Sequence, residues 1–375
     1  MNKGFDVIII GLGAMGSAAA YHLSKAGKRV LGLDRYTPPH TFGSSHGQSR
    51  IIREAYFEHP VYVPLVQRAY ELWSELEQES GRRLFHKTGG LMIGLPDGVL
   101  VQGAQRSARE HRLPAQTLTA TEMRELFPAL RPSDDMVAVW EPRAGALFPE
   151  ACIESHLQGA VGQGATLQFD EAVIHWKRSG SGFVVVTDRG KYEAGQVLLT
   201  SGSWLGGLVP ELELELALEV ERQILFWFEP LRNESAFQPE RCPVYIWEHQ
   251  PGHFFYGFPE LGNGVKVAGH YAGQVCHPDS LDRTVHPEDV DRMRRIVERH
   301  LPDANGPLKS AVVCMYTNTP DTHFRIDFHP EHSGVLIASP CSGHGFKFSS
   351  AIGEVLADLL IQGRSRFDLS LFRIQ

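Results

Sequence analysis

Cysteine is scarce. The chain of 375 residues has five, at Cys152, Cys242, Cys276, Cys314 and Cys341, odd in number and far apart. That spacing fits neither a disulfide framework nor a cysteine zinc site. No apolar run reaches membrane-spanning length, and the chain opens straight onto an apolar strand, so no leader peptide is expected. Basic runs are lacking as well. Lys and Arg number 36 against 44 Asp and Glu, a formal charge of −8, which argues against nucleic acid or an anionic membrane as partner. The 18 histidines include no close ligand pair such as H-E-x-x-H, so no metal is expected. Internal repeats, linkers and low-complexity segments are missing too. What remains is small-molecule chemistry in a reducing cytoplasm, by a chain whose length suggests two or three domains.

The most informative stretch is Phe5 to Asp34, FDVIIIGLGAMGSAAAYHLSKAGKRVLGLD. A continuous apolar run, Val7 to Ile10, reads as a buried strand, and the small residues after Gly11 have helical spacing. Gly11, Gly13 and Gly16 form G-x-G-x-x-G at the turn, where a pyrophosphate can meet free helix N–H groups. A second apolar strand ends in Asp34, where a ribose hydroxyl needs an acceptor. This is a dinucleotide fingerprint in full context. It does not separate FAD from NAD.

A loop rich in Pro, Gly, Ser and His follows, from Tyr36 to Gln48, and loops of that length inside a domain are usually functional. Beyond it, Arg50 and Arg53 are expected to share a helix face, either serving an anion or simply solvated. Helical spacing from Val63 to Glu79 is stopped by Gly81, with Trp73 in the core, and Thr119 and Glu122 form a capping box. Several strands fall between Ala165 and Ser201. The alternating Leu212, Leu214, Leu216, Leu218 and Val220 read as a strand with one wet face. Gln223–Phe228, Val244–Trp247, Phe254–Phe258 and Val265–Gly269 continue as an antiparallel sheet, followed by a helix from Pro287 to His300. The chain closes with a strand at Val335–Ala338, a Gly-rich turn from Ser342 to Lys347, and a helix from Ser349 to Ile361. Read without further context, Cys314 is an inert core cysteine, Lys266 a solvent-facing strand lysine and Lys347 a surface residue.

Three separated stretches change that reading: GSSHGQSRIIREAY (Gly43 to Tyr56), AVVCMYTNTPD (Ala311 to Asp321) and SGHGFKFSS (Ser342 to Ser350). On these, and on likeness from the first strand to FDLSLF, the sequence resembles the monomeric sarcosine oxidase and N-methyltryptophan oxidase family of flavoenzymes. The resemblance implies an α/β (α+β) fold. A Rossmann-like FAD domain of glutathione-reductase type is expected over 1–85, 147–215 and 320–375, and a substrate domain with a large, mostly antiparallel sheet over 86–146 and 216–319. It implies FAD as cofactor, bound covalently through Cys314, with Gly11, Gly13, Gly16, Asp34, His46, Arg50, Gly343, Gly345 and Lys347 around it. Lys266, His270, Arg50, Tyr316 and Tyr256 become the expected catalytic residues, Lys266 as a cation assisting electron transfer to oxygen. Arg53 and Lys347 become the clamp for a substrate carboxylate. The N-terminus of the last helix would face the negative charge of the reduced flavin's pyrimidine end.

The chain departs from the family's pattern at Ser45, Gln48 and Ser49, where members carry His, Asp and Thr, and at Cys341, where they carry a bulky apolar residue. The spacing around Ile246 to Tyr256 is shifted by one. These positions leave the substrate's side chain open. The expected activity is a monomeric FAD-dependent oxidase of N-methyl amino acids with O2 as acceptor. An oxidase of cyclic or primary amino acids and a non-catalytic flavin-carrying subunit stand as alternatives.

Overall fold

The computed structural model describes residues 4–208, 214, 216–271 and 273–374. Its first sheet begins where the sequence is most apolar. Strand Phe5–Ile10 is flanked in parallel by Val30–Leu33 on one edge and Lys191–Leu199 on the other. Thr166–Gln168 extends the sheet beyond the second strand, and Val335–Ser339 pairs in parallel with Lys191–Leu199. The five parallel strands thus come from separated parts of the chain. Both faces of the central strand are covered, with Ile8 and Ile9 fully buried on opposite sides, which is why its apolar run is continuous rather than alternating.

Helix Ala14–Lys25 leaves the first strand through a turn that tolerates no side chain. A Cβ at Gly16 would sit 1.8 Å from the Gly11 carbonyl oxygen, so glycine lets the helix approach the strand. Helix Ser349–Gln362 lies in the same core cluster as this helix, together with Tyr62–Ser80, whose Trp73 is buried as expected. Gly81 ends that third helix in the left-handed region. The Thr119–Glu122 capping box is also formed.

The second sheet runs Leu308–Asn318, Glu219–Phe228, Val265–His270, His253–Glu260, Val244–Gln250, Gly90–Gly94, Val137–Glu141, Gln116–Thr119, with Gln274–Val275 at an edge. All its pairings are antiparallel except Gly90–Gly94 with Val244–Gln250, in line with the mostly antiparallel sheet expected. Alternation gives the sheet two unlike faces. Phe226, Phe228, Val265 and Val267 pack with Met293 and Val297 of helix Pro287–His300, whereas Leu225, Trp227, Ala268 and Cys314 form a cluster on the other side.

Three expectations need correcting. Arg50 and Arg53 do not share a helix face: Arg50 opens strand Arg50–Ile52, paired with Gly145–Leu147 in a small three-stranded sheet, and Arg53 follows its end. The β-branched Ile51 and Ile52 favour that strand. The leucine alternation is not a ladder strand, since pairing begins at Glu219. Leu212 lies outside the described residues, and Leu214, Leu216 and Leu218 instead cover the outer core of the first sheet. Lys266 is not solvent-facing but 2% exposed. Among the described residues no helix is long and apolar enough to cross a membrane.

Candidate active site

The turn after the first strand opens onto a cavity of about 370 Å³ lined by Gly11, Gly13, Asp34, Ser44, Thr200 and Trp204, among others. Helix Ala14–Lys25 has no side-chain cap and no acid in its first turn, so its N-terminal N–H groups are free for an anion. A Cβ built on Gly13 would meet nothing within 4 Å; the backbone there faces open space. Asp34, 8% exposed, accepts from the Leu12 N–H at 2.7 Å and the Tyr36 N–H at 2.9 Å. Burial raises its pKa, against the pull of those two bonds. Thr200 donates to the Gly11 carbonyl at 2.7 Å and fixes the turn.

Ala14, Met15, Ser44, Ser45 and Cys341 also line a second cavity, of about 120 Å³, so the two adjoin. Its walls come from the antiparallel sheet, the small three-stranded sheet and the turn that follows strand Val335–Ser339. Arg50, Arg53, Glu58 and Lys347 supply the charge; Ile246, Tyr256, His270, Met315 and Tyr316 line the side formed by the antiparallel sheet. The last Gly-rich turn forms the remaining side. Gly343 has φ +74°, and a Cβ there would lie 2.5 Å from the Tyr316 ring, so only glycine lets the turn approach the tyrosine. Gly345 lines the same wall.

Arg53 and Lys347 come together over one aromatic ring. The Arg53 guanidinium carbon lies 4.2 Å and the Lys347 Nζ 5.2 Å from the Tyr56 ring centre. Lys347 Nζ donates to the His344 carbonyl at 2.7 Å and to Tyr56 Oη at 3.3 Å, while Trp73 Nε1 donates to the Lys347 carbonyl at 3.0 Å and fixes its backbone. Burial, then the Arg53 charge, pushes the Lys347 ammonium down to about 7. Arg53 is already engaged: Nη2 donates to both Glu58 carboxylate oxygens at 2.7 and 2.8 Å and Nη1 to the Ala55 carbonyl at 3.0 Å. Its buried Nε has no partner. Burial would raise the Glu58 carboxyl, but Arg53, His344 and Lys347 outweigh it and hold it at about 2. Two cations therefore face one carboxylate, and the cavity retains positive charge for an anionic ligand.

The aromatic wall is hydrogen-bonded within itself. His270 Nδ1 lies 3.1 Å from Tyr316 Oη, and burial lowers the imidazole to about 3, so His270 is neutral at pH 7. Tyr316 and Cys314, two residues apart, lie on the same side of their strand. Only Tyr316 reaches the cavity. Cys314, 2% exposed, has its thiol 3.5 Å from the Ser44 carbonyl and 3.8 Å from Arg50 Nη2. His46, buried within the 44–50 loop, and Lys266, behind it, are likewise absent from the cavity lining.

That loop is held from several sides. Lys266 Nζ donates to the Gly47 carbonyl at 2.6 Å, the Ser49 carbonyl at 2.9 Å and Ser49 Oγ at 3.0 Å. Burial, followed by the Arg50 charge, pushes the Lys266 pKa well down. Three acceptors nevertheless match the three N–H groups of an ammonium, and the Phe258 and Trp227 rings lie 4.7 and 5.3 Å away, which offsets part of the cost of burying the charge. Arg50 donates to the Ser44 and Ser49 carbonyls at 2.7 and 2.8 Å. Glu150 accepts from the Gly47 and Gln48 N–H groups. His46 Nε2 is buried without a partner, and burial, then Arg50, lowers its imidazole to about 3.

Glu58, Glu150, Tyr56 and His344 escaped the sequence reading. Tyr56 and His344 fall inside the stretches singled out there; Glu58 and Glu150 carry no local motif, and only the fold brings them to Arg53 and to the loop.

The chain is similar over its whole length to proteins of defined activity. Monomeric sarcosine oxidase of Streptomyces avermitilis is 46% identical, the match covering 99% of this chain and 97% of that protein. N-methyl-L-tryptophan oxidase of Yersinia pestis is 34% identical, covering 99% and 98%. Among solved structures, the open form of NikD, an unusual amino acid oxidase essential for nikkomycin biosynthesis, superposes with a TM-score of 0.85 at 25% identity, covering 99% and 97%. The family model described as FAD dependent oxidoreductase matches residues 6–359, and this chain, with its dinucleotide cradle and the cationic cavity beside it, belongs to the FAD dependent oxidoreductase family.

Proposed function

We propose that the chain is an FAD-dependent oxidase of secondary amines that demethylates an N-methyl amino acid. The observation that carries this reading is the cavity adjoining the dinucleotide cradle, with Arg53 and Lys347 converging on Tyr56. FAD fits the residues present, given the uncapped helix N-terminus, the open space at Gly13 and the buried Asp34 acceptor. Its N- and C-terminal strands and the 166–199 region would belong to the FAD-binding domain (1–85, 147–215, 320–375), and 86–146 with 216–319 to the substrate domain. Bound FAD supplies a two-electron acceptor that molecular oxygen restores, with release of hydrogen peroxide.

The chain's own residues bind and orient. Arg53 Nε and the Lys347 ammonium hold the substrate carboxylate, with Tyr56 beneath both. Tyr256, Tyr316 and neutral His270 enclose the amine end and exclude water. Arg50, in the cavity wall, and the Lys266 ammonium, behind the loop, would hold positive charge near bound FAD, which would favour the charge developed on reaction with oxygen. The N-terminus of helix Ser349–Gln362, which has no acid in its first turn, would add partial positive charge for the reduced cofactor. Cys314 would be the site of covalent attachment, which would require the Ser44 turn against its thiol to yield. A cavity of about 120 Å³ favours a compact substrate such as sarcosine over one bearing an indole. Sarcosine, oxygen and water would give glycine, formaldehyde and hydrogen peroxide. The working unit is a monomer.

Peroxide and formaldehyde formation across sarcosine, N-methyltryptophan, pipecolate and glycine tests the reading. Equal formation of both from sarcosine supports it; turnover of pipecolate or glycine alone would replace it with a cyclic or primary amine oxidase, and no turnover of any would leave a flavin carrier. For the attachment, acid-precipitated protein should stay yellow with the flavin mass on the Cys314 peptide. Release of all flavin to the supernatant would exclude it.

A further inference from the structure

A further cavity, of about 450 Å³, lies on the face of the antiparallel sheet away from the catalytic cavity, under helix Pro287–His300. His270 is the only described residue lining both. One side is basic: Arg292, Arg295 and Arg299 sit three and four residues apart on one helix face, and Arg222 stands opposite. The only acid in the lining, Asp289, is already taken by Arg222 at 3.0 Å. Among the described residues Arg295 and Arg299 make no hydrogen bond or ion pair, although like charges four apart on a helix destabilise it. A solvated basic helix face would end the matter there.

His300 makes it a site. Its ring lines the cavity at 3% exposure, and neither nitrogen has a partner. The rings of Trp247 and Phe255 hold it at 4.6 and 5.5 Å. Buried imidazole nitrogens without partners are uncommon and call for a ligand. Ile224, Phe226, Met293 and Ile296 give the wall an apolar patch, with His249, His253 and Gln274 lining the cavity beside it. The volume falls within the range of small-molecule sites. Guanidinium groups recognise phosphate oxygens in pairs.

We propose that this cavity is a second ligand site, which takes an organic phosphate monoester with its phosphate on Arg295 and Arg299 and its apolar body against Phe226 and Met293, within reach of His300. Binding is independent of the catalytic cavity, because the sheet lies between the two and their described linings share only His270.

Calorimetric titration of the FAD-loaded protein with phenyl phosphate tests this, with inorganic phosphate and phenol as controls. Saturable binding of phenyl phosphate is expected, about tenfold weaker for inorganic phosphate and absent for phenol. Arg295→Gln/Arg299→Gln should weaken it at least about tenfold while flavin content, melting temperature and sarcosine turnover stay as in the parent. Methoxyacetate saturating the catalytic cavity should leave it unchanged. The proposal fails if no saturable binding occurs up to about 10 mM, if the double variant binds as tightly as the parent, or if methoxyacetate competes. Should inorganic phosphate bind as well as phenyl phosphate, the apolar half of the assignment is overturned.

Discussion

The two faces of the antiparallel sheet are made from the same strands and differ in almost everything else. Along Val265–His270, Val267 packs with Phe226 and Met293 in an apolar core, while Lys266 and His270, on the opposite face, are buried among polar groups. A buried valine needs only neighbours of the right volume. A buried lysine needs an acceptor for every N–H, and here the acceptors come from the 44–50 loop, some 220 residues away in sequence. One face is therefore specified locally and tolerates approximation. The other works only if distant segments arrive together.

The comparison breaks most sharply at Lys266. Loss of a preorganised charge is typically worth about 2.7 to 4 kcal/mol, or roughly a hundred- to a thousandfold. Lys266→Met should slow flavin reoxidation by oxygen by that factor in stopped-flow absorbance, with anaerobic bleaching by substrate largely retained. Unchanged reoxidation would reduce Lys266 to a tether for the loop. The carboxylate clamp is next. At about 1.5 to 3 kcal/mol per charge-assisted contact, Lys347→Met or Arg53→Ala should lower kcat/KM for sarcosine by roughly ten- to more than a hundredfold. Turnover of carboxylate-free amines as fast as amino acids would defeat the clamp. On the apolar face, Val267→Ala removes two methyl groups from a fully buried site, a loss of about 2 kcal/mol in stability. That variant should melt earlier yet keep KM and reoxidation rate near the parent's.

Legibility in the sequence follows the same division. The cradle could be read directly, because strand, Gly-rich turn, helix and acid fall within residues 5–34 and each obeys a local rule. The helices at 62–80, 287–300 and 349–362 were likewise announced by period and stop signals. Arg50 and Arg53 misled because a spacing of three suits a helix, whereas pairing with Gly145–Leu147, invisible locally, made the segment a strand. The leucine alternation misled for the opposite reason: period two marks one buried side, and that side here packs on a sheet without joining one. Lys266 and Cys314 gained meaning only from resemblance, since nothing in their own neighbourhoods distinguishes a buried cation or a covered thiol from ordinary strand residues.

The finest test lies where the faces differ least in structure and most in charge. Lys347 has its ammonium lowered to about 7 by burial and by Arg53, so it is cationic below that pH and neutral above. The groups around it do not titrate in the same window: Glu58 is held at about 2, His344 is pushed to about 4 and Tyr56 is raised well above its usual value, while Arg53 stays charged throughout. A ligand carboxylate binds the cationic form, so its affinity is complete below about pH 7 and lost as pH rises through it. Sarcosine itself would blur this, because its amine titrates too. Methoxyacetate has no amine, and its inhibition constant should rise about tenfold from pH 6 to pH 8, one pKa unit being worth about 1.4 kcal/mol. In Lys347→Gln the constant should be weaker at pH 6 and nearly flat to pH 8. A parent profile as flat as the variant's would mean that Lys347 is not the cation the carboxylate meets, and Arg53, released from Glu58, would have to hold it alone.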